Sequence, residues 1–268
     1  MGTLSEKRRS GFTIAPEVAT DRMRKIINKP ISEDQFLATV RDIYNQGWHT
    51  IKLYFMIGLP TETMQDVQAI ADLAKTVRGQ GEAEIGRRAK VHVSVSTFVP
   101  KPHTPFQWVP CERAEIIQQK IDLLKRQVKG WGLKLNWNNP QQSIHEAWLA
   151  RGDRRMAEVI YRVWKKGGKF DAWQDHFDYQ TWLDAFQEAG LAPSFYAHRK
   201  RPDDELFPWD HISTGVNKSY LLQDYLEGLE GKTRPDCRQQ CYACGILPTY
   251  NQIRSRHPGD AWMCPEIQ

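Results

Sequence analysis

Apolar and polar positions alternate through the first half of the chain in a strand-then-helix rhythm. Residues 11 to 16, GFTIAP, read as a short strand stopped by Pro16. Thr20 then caps a predicted helix through Asn28, which Pro30 ends. Ser32 opens a second helix, with Gln35 completing a capping box. Phe36, Val40 and Ile43 form its buried stripe, and Gly47 stops it. Residues 50 to 57, TIKLYFMI, are a nearly unbroken run of strand formers, the pattern expected of a parallel strand covered on both faces. Thr63 and Asp66 repeat the capping pattern, and Val67, Ile70, Ala74 and Val77 mark one face of the helix that follows. KVHVSVSTFVP alternates as a strand over 90 to 99, and Cys111 to Val128 reads as a helix striped by Ile117, Ile121, Leu124 and Val128.

Three strands alternating with helices predict a parallel α/β sheet. Ligands of such sheets sit at the carboxyl ends of the strands. Here those ends are Glu17, the turn Gly58-Leu59-Pro60-Thr61, and residues 97 to 103.

The pattern changes beyond residue 135. Residues 136 to 230 show aromatic-rich helical periodicity, with a break expected at Arg151-Gly152-Asp153 and a stop at Gly190 before Pro193. Leu149, Met156, Ile160 and Val163 fall near one helical stripe. Trp148, Trp164, Trp173 and Trp182 are expected to anchor a core or an interface. DAWQDHFD and PWDH set aspartates beside His176 and His211, either as a metal or substrate site or as buried, hydrogen-bonded histidines. The division expected is residues 1–135, 136–230 and 231–268.

Composition narrows the function classes only slightly. With 37 Lys and Arg against 32 Asp and Glu, the formal charge of +5 permits contact with nucleic acid without arguing for it. No apolar run reaches the roughly 18 residues of a membrane helix, and the N-terminal residues lack a signal-peptide pattern. A cytoplasmic location is expected, and clustered cysteines in that reducing compartment point to metal rather than disulfides. Cys237, Cys241 and Cys244 are spaced C-x3-C-x2-C. Three thiols this close suit a zinc site completed by Cys264 or His257, or an iron–sulfur cluster; free exposed thiols are the plainer reading.

The segments GFTIAPEVATDRMRKIINKPI, IKLYFMIGLPTET and FVPKPHTPFQW resemble the fourth, fifth and sixth strands of a radical S-adenosylmethionine (SAM) barrel. The nearest likeness is to the uncharacterised radical SAM subfamily that also carries a cobalamin-binding domain. It continues through WNNPQQSIHEAWLARGDRR and FPWDHISTGV into the Cys-rich tail. The fold it implies is the C-terminal half of a (β/α)6 partial TIM barrel, followed by a mostly helical region and a metal-binding tail.

The resemblance also implies site residues. Glu17 would hydrogen-bond SAM through its ribose or amino group, Gly58, Leu59, Pro60 and Thr61 would let the adenine lie close, and Thr97 and Phe98 would flank it. Members of that superfamily carry C-x3-C-x2-C after the first barrel strand and a Gly-Gly-Glu segment after the second, whereas only MGTLSEKRRSG precedes Phe12 here. The expectation is therefore the C-terminal part, or a fragment, of a longer enzyme that cleaves SAM on a [4Fe–4S] cluster. Cobalamin would enter through a missing domain, the substrate is unknown, and a separately encoded N-terminal half is a candidate partner. This chain alone is expected to be inactive, with its tail holding zinc or an auxiliary iron–sulfur cluster. The competing expectation is a non-catalytic metal-binding or nucleic-acid-binding protein derived from a barrel fragment.

Overall fold

A computed structural model describes residues 11–259. Four strands form one parallel sheet in the order β1-β2-β3-β4: β1 Phe12–Glu17, β2 Thr50–Ile57, β3 Lys90–Thr97 and β4 Leu133–Trp137. The helices between them are α1 Asp21–Ile26, α2 Glu33–Asn45, α3 Met64–Ile85 and α4 Ala114–Gln127. The α/β class and the parallel sheet are thus as the periodicity indicates.

Local signals explain the boundaries. Thr20 caps α1 by accepting from the Met23 N–H. Ser32 with Gln35, and Thr63 with Asp66, both close reciprocal capping boxes. The 22-residue α3 contains Gly81 because a Cβ there would sit 2.4 Å from the Tyr44 ring of α2.

Three expectations need correction. β1 does not stop at Pro16: it runs to Glu17, with its register on β2 shifting between Ile14 and Glu17. A proline is tolerated because β1 pairs only with β2 among the described residues and the ladder is irregular at that point. Second, β2 is not covered on both faces. Ile51, Leu53, Phe55 and Ile57 are buried, whereas Lys52, Tyr54 and Met56 are not, and Tyr54 is 45% exposed. Its continuous run of strand formers masks a strict alternation, because a lysine stem, a tyrosine ring and a methionine all count as apolar in such a reading. Third, there are four strands among the described residues: the five-residue β4 lies between the left-handed Gly132 and Asn138-Asn139, too short and too exposed to show a period.

The buried rows of β2 and β3 pack with Val40, Ile43 and Tyr44 of α2, Val67, Ile70, Ala74 and Val77 of α3, and Ile117, Ile121 and Leu124 of α4. Residues 11–99 and 112–144 form this compact unit.

Residues 100–111 and 145–259 form a second unit. Its helices are the end of α5 (Pro140–Arg151), α6 (Met156–Lys165), α7 (Tyr179–Glu188), α8 (Pro193–Ala197), α9 (Lys218–Leu229), α10 (Ile246–Thr249) and α11 (Asn251–Arg256). The break at Arg151-Gly152-Asp153 falls between α5 and α6 as expected. Of the stripe read across it, Met156 and Val163 are buried, while Leu149 and Ile160 are exposed and Val159 takes the intervening place. Trp148 and Trp182 are core residues; Trp164 and Trp173 are 64% and 63% exposed. Arg151 and Arg201 are both buried: the Arg151 Nε donates to the Tyr196 carbonyl at 3.1 Å, and the Arg201 guanidinium donates to the Arg151 carbonyl and pairs with Glu205. Among the described residues no helix is long and apolar enough to cross a membrane.

Candidate functional site

The strand ends of the first unit carry the residues that the sequence points to. The turn after β2 has two left-handed positions, Gly58 (φ 87°) and Thr61 (φ 64°). Gly58 is required there by conformation and by space: a Cβ would meet Ile117 at 2.8 Å and Glu112 at 3.2 Å. That packing against α4 is a reason for the glycine that does not depend on any ligand.

Charged side chains outside the residues expected from the sequence fix this turn. The Gly58 N–H donates to Glu62 Oε2 at 2.8 Å. The same carboxylate takes the Lys120 ammonium at 2.7 Å, and Lys120 also reaches Glu112 at 3.3 Å. The Lys120 and Glu62 side chains are 4% and 2% exposed. Burial pushes the Glu62 carboxyl above the ordinary range, while Lys120 and the Gly58 N–H pull it down. Lys120 left a signal in the sequence: it is a cation beside Ile117, Ile121 and Leu124, on the stripe that α4 buries.

A second network ties the turn after β1 to the turn after β2. Arg22 donates to the hydroxyl and the carbonyl of Thr61, each at 3.0 Å, and pairs with Asp66. Asp66 also accepts from Thr20 Oγ1 at 2.7 Å, Thr63 Oγ1 at 2.7 Å and the Thr63 N–H at 2.9 Å. Burial tends to raise the Asp66 carboxyl, but bonds from Thr63, Thr20 and Arg22 outweigh it and hold the group below the ordinary carboxylate range.

The predicted site residues lie at the carboxyl ends of β1, β2 and β3. Glu17 stands at the end of β1 with φ 69°, and its carboxylate is 3.6 Å from the Lys29 ammonium. Leu59 is buried and Pro60 half-buried. Ile57 pairs with Thr97, and the Phe98 N–H donates to the Ile57 carbonyl at 2.8 Å, which brings the ends of β2 and β3 together. Thr97 continues the buried row of Val91, Val93 and Val95, and its hydroxyl has no hydrogen-bond partner among the described residues. Phe98 is partly exposed.

The face of the sheet opposite the core is open. Tyr54, Ser94, Ser96, Asn136 and Asn138 surround a hollow of about 250 Å³ on it.

The tail cysteines are not gathered. Cys237 is exposed, Cys241 and Cys244 are half-buried, and among the described residues no three His, Cys, Asp or Glu side chains are placed to hold one metal ion. Cys264, one of the two fourth ligands expected, lies outside the described residues. Cys111 is buried.

His176 and His211 are both exposed, so the expectation of buried histidines fails for each. His176 instead lines a hollow of about 150 Å³ with Lys166, Asp171, Asp178 and Thr181. The Asp178 carboxylate there is already engaged in capping α7 through Gln180 and Thr181.

An uncharacterised protein of the archaeon Methanocaldococcus jannaschii is 32% identical to this chain over 149 residues. The match takes in 56% of this chain and 32% of that protein, so it spans about a third of the relative's length. No protein-family model matches the chain, and no solved structure matches it.

Proposed function

We propose that this chain supplies the C-terminal half of a radical SAM barrel, with the carboxyl ends of β1, β2 and β3 contributing to the SAM site. The observation that carries this reading is the strand order. Four parallel strands follow one another as β1-β2-β3-β4, with one core cluster on one face and a polar, open face opposite. A doubly wound sheet reverses its strand order and is covered on both faces, whereas a barrel wall runs in sequence with its helices outside. The relative, of which only about a third is matched, is compatible with such a chain being part of a longer enzyme.

In that reading Glu17 accepts hydrogen bonds from the SAM ribose or amino group, the Gly58–Thr61 turn lies against the adenine, and Thr97 and Phe98 stand beside it. When bound, a [4Fe–4S] cluster would supply the electron that cleaves SAM; the residues of this chain bind, orient and exclude water. The tail cysteines are proposed as ligands of zinc or an auxiliary iron–sulfur cluster. Since they are not preassembled, metal binding would have to bring the three thiols together.

The test is anaerobic reconstitution with iron and sulfide, followed by reduction in the presence of SAM. The chain alone should form no 5′-deoxyadenosine. Mixed with the unmatched remainder of the archaeal relative it should form 5′-deoxyadenosine, with the rate falling in Glu17→Gln. A mixture that assembles its cluster yet forms none would sink the proposal. So would cluster-dependent turnover by the chain alone that is lost in Cys241→Ala. In the same preparations, replacing Cys237, Cys241 and Cys244 together by Ser should remove about one metal centre per chain; unchanged metal content would remove the tail from the proposal.

A further inference from the structure

The open face of the sheet is electrostatically one-sided. The register places Lys52 opposite His92 and His92 opposite Lys134, so three basic side chains stand abreast on neighbouring strands. Lys90 stands on the same face one step earlier in β3. The four strands contain a single acidic residue, Glu17, at the far end of β1. Among the described residues none of Lys52, His92 and Lys134 makes an ion pair. Lys52 and Lys134 stand two strands apart with His92 between them, and no acidic residue of the strands lies beside them, so an anion that bridges the two ammonium groups is favoured there.

Geometry says what kind of anion fits. Strands lie about 4.8 Å apart, so the backbones bearing Lys52 and Lys134 are about 10 Å apart, with His92 midway. Long, flexible lysine stems can fold in from both sides over one tetrahedral anion above the imidazole. The next step along the strands is uncharged and able to hydrogen-bond: Tyr54 pairs with Ser94, and Ser94 with Asn136. Two small residues in the middle strand, Ser94 and Ser96, leave the hollow of about 250 Å³ there.

We propose that this face binds a small phosphorylated ligand. Its phosphate or pyrophosphate lies over His92 between Lys52 and Lys134, and its uncharged part, of about the size of a sugar, lies in the hollow against Tyr54, Ser94 and Asn136. The proposal stands on the sheet alone and does not depend on SAM chemistry.

His92 gives it a readout. Partial burial, together with Lys134, Lys52 and Lys90, holds the imidazole below its ordinary pKa. A bound anion reverses the sign of the local field, so His92 must titrate at higher pH when the site is filled. The experiment is nuclear magnetic resonance of histidine-labelled chain at low ionic strength, with His92 assigned through His92→Gln, titrated with inorganic pyrophosphate and then with pH. The expected result is saturable binding that raises the His92 pKa and the melting temperature. Lys52→Gln combined with Lys134→Gln should weaken binding at least tenfold while the free protein melts no lower than the parent. Three results would each overturn the proposal: a His92 signal that pyrophosphate does not move, equal binding by the double variant, or an equal response to sulfate at matched ionic strength.

Discussion

At the scale of single residues, the turn after β2 depends on one buried lysine. Lys120 and Glu62 are sealed from water, and the same carboxylate oxygen that takes the Lys120 ammonium also accepts from the Gly58 N–H. Removing one partner of a buried ion pair leaves an uncompensated charge and typically costs about 3–5 kcal/mol. Lys120→Met is therefore expected to lose about that much stability in denaturant unfolding. Glu62→Gln in the same chain should recover a large part, because the amide keeps an acceptor for Gly58 and carries no charge. A Lys120→Met protein of unchanged stability would show that the pair contributes nothing. Lys120 is legible only as a cation on the stripe that α4 buries, and its partner is not legible at all. A Glu after a G-L-P-T turn, 58 residues earlier, looks like ordinary surface charge until the packing of α4 on the turn brings the two together.

At the scale of elements, the network on Asp66 welds the start of α3 to the start of α1. Its carboxyl is held below the ordinary range, so the folded state releases that proton more readily than the unfolded chain does. Stability from Asp66 is thus fully present above its unfolded value of about 4 and is lost as pH falls through the lower folded value. Asp66→Asn should cost about 2 kcal/mol at neutral pH, where charged hydrogen bonds are lost. The gap between variant and parent should then close as pH falls below about 4. A gap that stays constant with pH would mean that the ionised carboxylate is not the stabilising species. Both capping boxes and both helix starts could be read from Ser32, Gln35, Thr63 and Asp66, because a cap is a local bond between residues three apart. The open face of β2 could not. Whether a strand is covered on one side or two depends on where all the connecting helices pack, and a run such as LYFMI is apolar enough for either arrangement. β4 escaped for a related reason: five residues give barely two repeats of an alternating pattern, and the strand draws its place from the ladder on β3. Of the candidate site, the strand ends were legible as turns bearing polar residues, while the basic row across Lys52, His92 and Lys134 needed the register between strands.

At the scale of the whole molecule, the two edges of the sheet differ in a way that predicts how the protein behaves in solution. β4 is a guarded edge: Lys134 and Asn136 are exposed on it, and the Lys125 ammonium lies 4.5 Å from the Trp137 ring centroid. Short, charged edges of this kind discourage pairing. β1 is different. Phe12, Thr13, Ile14 and Ala15 bring no charge before Glu17, and among the described residues they pair with β2 alone. Two copies cannot readily meet through their open faces, because each presents Lys52, His92 and Lys134 to the other. They can meet through β1, and a twofold axis there would pair the two β1 strands antiparallel, each contributing the same surface. Pro16 removes a donor near one end of that strand and limits such pairing to about four residues on each side. The expected outcome, where no other chain covers β1, is weak self-association. Sedimentation should show a concentration-dependent dimer in the micromolar range. Amide hydrogen exchange should show protection rising with concentration at Phe12 to Ala15 and staying constant in β4. A strict monomer across that range would exclude β1 as a pairing edge, and protection rising in β4 instead would assign the contact to the opposite side of the sheet.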